Sequence, residues 1–194
     1  MPHCFFINLD RRVDRRIETE AELARMGIQA ERFPAIERSP GGLGCTQSHI
    51  EVLKLARARG YESVMVLEDD FSFVVNEQEL SDAFMHLPES FDMVLLAFNL
   101  IAGDPVTPYL GRVREASTTG GYIIHSRYYN TLINRWSEGL ALYEQNPEVH
   151  WLYILDQYWK PLQLIDEWYY FIQPLGKQRP SWSDLGQQFM PDYH

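Results

Sequence analysis

The chain has 194 residues, 45% of them hydrophobic and 13% aromatic, with a formal net charge of −10, which is one domain's length and enough apolar residue to bury a substantial core. The charge is uneven: the first sixty residues carry ten Arg and Lys against eight Asp and Glu, and the remainder carries a balance of −12. A basic first third suits a phosphate-bearing ligand, whereas the acidic remainder argues against nucleic acid or an anionic membrane surface as the main partner.

The two cysteines, Cys4 and Cys45, lie in no CxxC or metal-ligand pair and read as free thiols of a reducing compartment. No apolar run approaches the length of a membrane span, and the first residues lack a basic stretch followed by an apolar one. The expectation is a soluble, cytoplasmic protein with no transmembrane segment, which leaves room for peripheral association. Many of the Tyr and Trp fall in the last third. Such rings line sugar-binding clefts, but they also fill cores, the commoner use.

In chain order, His3–Leu9 (HCFFINL) predicts a first strand. Asp10-Arg11-Arg12-Val13-Asp14-Arg15-Arg16 follows at once. Val13, Ile17, Ala21 and Ala24 then recur at helical spacing up to Gly27, a C′ stop. Arginines at a helix start oppose its dipole by ~0.3–1 kcal/mol each, a cost that a bound diphosphate would relieve. The bland alternative is a solvated helix in which Asp14 and Glu18 pair with neighbouring arginines. It accounts for Arg16 and Arg25 better than for Arg11, Arg12 and Arg15.

AERF, ending at Pro34, predicts a short second strand. The stretch Ser39-Pro40-Gly41-Gly42-Leu43-Gly44 predicts a flexible loop, with a helix from Cys45 or Thr46 opened by Ser48-x-x-Glu51 as a capping box. Gly60 closes that helix. Ser63–Phe71 (SVMVLEDDF) then reads as a buried strand that ends in Glu68, Asp69 and Asp70. Asn76-x-x-Glu79 caps a helix over 77–86, Phe91–Phe98 is a further buried strand, and residues 100–118 read as a long loop or a small hairpin. A strand at Tyr122–His125 and a helix from Ser126 with Tyr129, Leu132, Ile133 and Trp136 on one face come next. Asp156 sits in the aromatic stretch YILDQYW, Trp168–Ile172 is the last strand, and residues 174–194 form a polar tail with Gln178, Ser183 and Asp184. Strands alternating with helices predict an α/β sandwich with a mostly parallel central sheet flanked by helices.

Three adjacent carboxylates repel one another unless water screens them or a cation neutralises them. Strand alternation would place Glu68 and Asp70 on one face and Asp69 on the other, so that two acids share one metal. An acidic cap marking the end of a strand is the bland alternative.

Taken in order, INLDRRVDRR, GLGCTQSHIEVLKLA, VMVLEDDF, DMVLLAFN, TTGGYIIHSRY and QRPSWSD together resemble glycosyltransferase family 25, which includes bacterial lipooligosaccharide galactosyltransferases and procollagen galactosyltransferases. The likeness runs over nearly the whole chain. It implies a GT-A fold of Rossmann type and metal-dependent transfer of a hexose, galactose in the first place, from a UDP-sugar to a glycan or protein hydroxyl with inversion at the anomeric carbon. Glu68-Asp69-Asp70 would be the family's DxD motif, with Glu68 and Asp70 holding Mn²⁺ or Mg²⁺. Asn8, Arg11, Arg12, Arg15, His49, Glu68, Asp69, Gly121, Gln178 and Ser183 would contact the UDP-hexose donor. Asp156 is the candidate base, an acid whose pKa burial would raise, and Asp184 competes for that role or for the metal or donor sugar. Each has a structural alternative: a helix N-cap for Asp156, a buried hydrogen-bonded ring for His49, caps for Gln47 and Ser48, a turn before a strand for Gly120 and Gly121, ordered surface for Gln178 and Ser183.

On this reading residues 1–194 form a single domain, with 1–100 mainly the nucleotide-sugar and metal half and 101–194 mainly the acceptor half and tail. The partners implied are a nucleotide-sugar donor and a glycan or a glycosylated protein or lipid acceptor. Two other classes compete: a non-catalytic nucleotide-sugar or glycan-binding module that kept the fold, and a phosphotransferase or nucleotidyltransferase. The second is disfavoured by the missing lysine-bearing phosphate loop.

Overall fold

The computed structural model describes residues 1–183 and 188–190, and the side chains of residues 1–180 and Trp182. The elements in order are β1 (His3–Asn8), α1 (Val13–Arg25), β2 (Ala30–Pro34), α2 (Gly41–Ala58), β3 (Ser63–Glu68), β4 (Phe71–Phe73), α3 (Glu77–Phe84), β5 (Met93–Pro105), β6 (Leu110–His125), α4 (Tyr129–Gln145), α5 (Leu155–Tyr158), α6 (Lys160–Gln163), β7 (Trp168–Phe171), β8 (Gly176–Gln178), β9 (Ser181–Ser183) and β10 (Gln188–Met190).

A six-stranded sheet in the order β2-β1-β3-β6-β5-β7 forms the centre. β1 pairs parallel with β2 and β3, β5 pairs parallel with β7, and β6 runs antiparallel to its neighbours β3 and β5. All but β6 therefore point the same way, and the expected mostly parallel sheet is present.

Period-two alternation along β3 divides the core. Val64 and Val66 pack with Phe5, Tyr122, Ile124, Trp136 and Trp159 on one face of the sheet; Met65 and Leu67 pack with Phe6, Ile123, Val94 and Leu80 on the other. Each fully buried side chain of this size contributes ~1.5–3 kcal/mol. The two packed faces hold the carboxyl end of β3 fixed.

Several elements differ from the sequence expectation. The helical spacing of α1 pointed to Val13, Ile17, Ala21 and Ala24 as its inward face, yet Val13 and Ile17 are exposed and Thr19, Leu23 and Met26 are buried. The helix is turned so that Arg15 and Thr19, one turn apart, face the acidic end of β3. α2 starts at Gly41, not at Cys45 or Thr46, with Pro40 as N-cap and no side-chain cap. The glycines of the expected loop form its first turn. Ser48 makes no capping box: its hydroxyl donates to Gly44 O (2.7 Å) and accepts from Ile36 N–H (2.8 Å). Of the two expectations for 100–118 the hairpin holds and the loop does not: the stretch is the distal part of the antiparallel β5–β6 hairpin, longer than expected, whose pairing slips at several bulges. By contrast, Asn76 and Glu79 form the expected capping box.

At Gly44 the segment that joins β2 to α2 passes close against the helix. A Cβ there would lie 2.2 Å from Ile36 O and 3.0 Å from Arg38 N, both backbone atoms that cannot step aside. Gly44→Ala is therefore expected to cost ~1–3 kcal/mol. Urea unfolding of the variant beside the parent measures it, and equal midpoints would contradict the packing.

Candidate functional site

β3 ends at Glu68, so strand alternation governs Glu68 and stops there. Glu68 turns to the α2 face, where Thr119 Oγ1 donates to its Oε1 (2.5 Å) and His49 Nε2 lies 3.3 Å away. Asp69 and Asp70 form a turn before β4. Both turn toward α1: Arg15 Nη1 is 2.7 Å from Asp69 Oδ1 and 3.4 Å from Asp70 Oδ2. The expected sharing of one face by Glu68 and Asp70 does not follow from the strand, because Asp70 is no longer in it.

The three acids differ in how firmly they are held. Asp69 has both oxygens committed, Oδ1 to Arg15 and Oδ2 to Asn8 Nδ2 (2.7 Å). Its backbone oxygen also accepts from Thr19 Oγ1 (2.8 Å) and Arg179 Nη2 (2.6 Å). Asp70 is held loosely, with a 3.5 Å contact from Gln178 Nε2 and the 3.4 Å approach of Arg15. Burial, reinforced by the charge of Glu68 against the pull of Arg15, pushes the Asp70 carboxyl up to about 7. Glu68 goes the other way: burial raises its pKa, but His49, the Thr119 hydroxyl and Arg15 outweigh that and leave it below the ordinary value. Asp70, half-buried, is thus the acid that has a partner to gain.

Asn8, at the end of β1, is the hub beneath the turn. It is 1% exposed, donates to Asp69 and to Arg12 O (3.0 Å), and accepts from Arg32 Nε (2.9 Å). Asn8→Ala strips the buried Asp69 carboxylate and the half-buried Arg32 guanidinium of one partner each, and the expected loss is ~1–3 kcal/mol of stability. Denaturant unfolding reads this directly; an unchanged midpoint would mean that water replaces the amide.

The tail closes the site from above. β8 pairs antiparallel with β4, placing Gln178 opposite Phe71, and Arg179 N–H donates to Asp70 O (2.6 Å). Gly121 on β6 makes room for this: a Cβ there would meet the Phe71 ring at 2.6 Å. Arg15 Nη2 donates to Trp182 O (2.8 Å), and Arg12 Nη1 reaches the same oxygen at 3.4 Å. Arg12 also pairs with Asp14, and Arg11 with Glu37 (2.8 Å). The backbone of Ser183 lies in β9; its side chain, and Asp184 entirely, lie outside the described residues.

Asp156 enters from α5. It is not the N-cap of that helix, a place taken by Ile154. Its Oδ2 accepts from Thr118 N–H (3.0 Å). Thr118 has a φ of 79°, the left-handed region, which aims its N–H out of the β6 ladder. Burial raises the Asp156 pKa, the Thr118 hydrogen bond opposes it, and the Glu68 charge adds to the rise. His49 is fully buried, with Nδ1 and the Tyr122 hydroxyl sharing a 2.9 Å hydrogen bond.

The structure thus brings Asn8, Arg15, Asp69, Asp70 and Gln178 together on one side of the β3 end. Glu68, His49 and Thr119 meet on the other, with Asp156 near enough to feel the Glu68 charge. Three participants were not singled out from sequence. Arg179 and Thr119 lie inside the quoted QRPSWSD and TTGGYIIHSRY stretches, where they carried no separate signal. Cys45 reads from sequence as a free thiol, and its four-residue spacing from His49 on a helix is the signal that links the two.

No family model matches the chain, and no curated protein matches its sequence. Solved structures share its fold. A glycosyltransferase involved in the glycosylation of the major capsid of PBCV-1 is similar over 96% of this chain and 97% of that one, with a TM-score of 0.60 at 9% identity. A197 from STIV is similar over 100% of this chain and 95% of that one, at a TM-score of 0.50 and 13% identity. The glycosyltransferase GlyE of Streptococcus pneumoniae TIGR4 has a TM-score of 0.53 at 11% identity and covers 93% of this chain, which spans only 54% of that protein. The fold is the GT-A-like sandwich expected from the sequence.

Proposed function

We propose that the chain is a glycosyltransferase of the family 25 kind, an inverting enzyme that moves a hexose, galactose in the first place, from a UDP-sugar to a hydroxyl of a glycan or glycosylated acceptor. The observation that carries the reading is the half-buried, loosely held Asp70 near Glu68 at the carboxyl end of a central parallel strand, the place where open α/β sheets bind ligands. The solved glycosyltransferases of like fold support it.

Carboxylates suit Mn²⁺ or Mg²⁺, and Asp70 from the α1 side and Glu68 from the α2 side of the β3 end would hold it, Asp70 with the greater share. Such an ion supplies charge stabilisation for a departing diphosphate. The chain's own residues do the rest. Arg12 and Arg15, with Arg11 further along the turn, supply cationic donors on the nucleotide side, and Asn8 and Asp69 hold that side rigid. His49, Gly121, Gln178 and Ser183 frame the donor sugar in this reading. Asp156 would accept the proton of the acceptor hydroxyl as its oxygen attacks the anomeric carbon from the face opposite the diphosphate. Thr118 N–H fixes one carboxylate oxygen, leaving the other for that proton. Asp184 is the alternative base. Residues 1–100 would then serve mainly the donor and 101–194 mainly the acceptor.

One observation favours a second reading, a nucleotide-sugar-binding module without transfer: Arg15 already bridges Asp69 and Asp70, so the acidic turn is partly neutralised within the chain. The two are separated by following UDP release from UDP-galactose and UDP-glucose with Mn²⁺ and a panel of glycan acceptors, and by the anomeric configuration of any product. Acceptor-stimulated release with inversion supports the transferase; donor binding with no release supports the module.

A further inference from the structure

We infer that Cys45, His49 and Glu68 form a metal site for a thiophilic divalent ion of the Zn²⁺ type, which shares Glu68 with the carboxylate pair proposed for Mn²⁺ or Mg²⁺ but differs from it in donor chemistry. One ligand atom from each of the three lies within 4.8 Å of the others. Cys45 and His49 are four residues apart on α2, so both project from one face of the helix toward the sheet. Glu68 closes the triangle from the end of β3.

An independent observation points to a ligand. His49 is 0% exposed, and its Nε2 makes no hydrogen bond of good geometry among the described residues, although Glu68 Oε1 lies 3.3 Å away. A buried, orphaned ring nitrogen costs ~1–3 kcal/mol, and a metal ion removes that cost. The opposite nitrogen, Nδ1, is tied to the Tyr122 hydroxyl at 2.9 Å. Such an outer contact fixes ring orientation in metal-binding histidines and leaves the other nitrogen for the ion.

The donor set selects the metal. Thiolate and imidazole favour Zn²⁺ over Mg²⁺ or Mn²⁺, and three protein ligands with a fourth place open is a common zinc arrangement. Zn–S and Zn–N bonds of about 2.3 and 2.0 Å require the triangle to contract, which the partly exposed Cys45 and Glu68 side chains can do by rotation. On binding, the Cys45 thiol gives its proton to solvent and the sulfur becomes the ligand. The site stands whether or not the chain transfers sugars, because its test reads metal binding alone.

The experiment is titration of the metal-free full chain with Co²⁺, followed by displacement with Zn²⁺ against a fluorescent chelator, in the parent, Cys45→Ser and Asp70→Asn. The parent is expected to show a thiolate-to-cobalt charge-transfer band that Zn²⁺ erases. Cys45→Ser, nearly isosteric, should lose the band and at least about tenfold in Zn²⁺ affinity, with its circular dichroism unchanged. Asp70→Asn should retain both. Absence of the thiolate band in the folded parent, or equal Zn²⁺ affinity in parent and Cys45→Ser, overturns the proposal.

Discussion

Asp70→Asn is expected to remove divalent-ion-dependent binding of a UDP-hexose while leaving the fold in place. The amide keeps the shape of the carboxylate and the backbone contact of Asp70 O with Arg179 N–H. Asp69, which carries the short pair to Arg15, is untouched. What goes is a negative charge at the half-buried acid of the turn, whose side-chain contacts among the described residues are long ones. Charge stabilisation of this kind contributes several kcal/mol, so a loss of about 3 kcal/mol, roughly a hundredfold in metal-supported donor affinity, is the expected size. Circular dichroism and donor titration on the same sample separate loss of binding from loss of fold. Unchanged donor affinity in a folded variant would remove Asp70 from the site.

Asp156→Asn is expected to act on the other half of the reaction. Donor binding should stay within about twofold, while transfer falls by ~10²–10⁴, the usual contribution of a positioned base. Because burial raises the Asp156 pKa, the acid limb of kcat/KM should lie above the ordinary aspartate value, with activity lost as pH falls through it. The stability effect has the opposite sense. A carboxyl whose folded pKa is raised contributes stability that is present below its unfolded pKa of about 3.9 and is lost as pH rises through the folded value. At neutral pH the asparagine variant should therefore be as stable as the parent or more so, the difference vanishing in acid. Full transfer by Asp156→Asn would assign the base elsewhere, with Asp184 next.

These two residues also show what the sequence could and could not reveal. Glu68 through Asp70 stood out because an apolar strand ended in three charges, and Asp156 because an acid sat among aromatic residues; both are local contrasts. The capping box at Asn76 and Glu79 and the inward face of α4 are equally local, and both are present as read; the short strands β4, β8, β9 and β10, with three residues each, carry too little pattern to be read, and α4 starts at Tyr129, not at Ser126. The inward face of α1 was not legible, since Arg15 and Thr19 turn inward to reach Asp69, a partner more than fifty residues away in the case of Arg15. The start of α2 was hidden for a related reason: Gly44 is glycine because Ile36 O passes beside it, and from sequence a glycine that fits a close approach looks like one that ends a helix. The β5–β6 ribbon carries polar and turn-forming residues along an irregular, partly exposed ladder, so it lacked the alternation that marks a strand. From sequence Arg15 reads as a nucleotide contact alone. Its pairing with both Asp69 and Asp70 adds a structural task to the one proposed.

The most direct test of the account is calorimetric titration of UDP-galactose into the parent chain, first with Mn²⁺ and then with a chelator, beside UDP-glucose and UDP. Binding that requires the ion and distinguishes the two sugars is the predicted result. Absence of binding to all three under both conditions would contradict the donor site, and with it the proposed transfer.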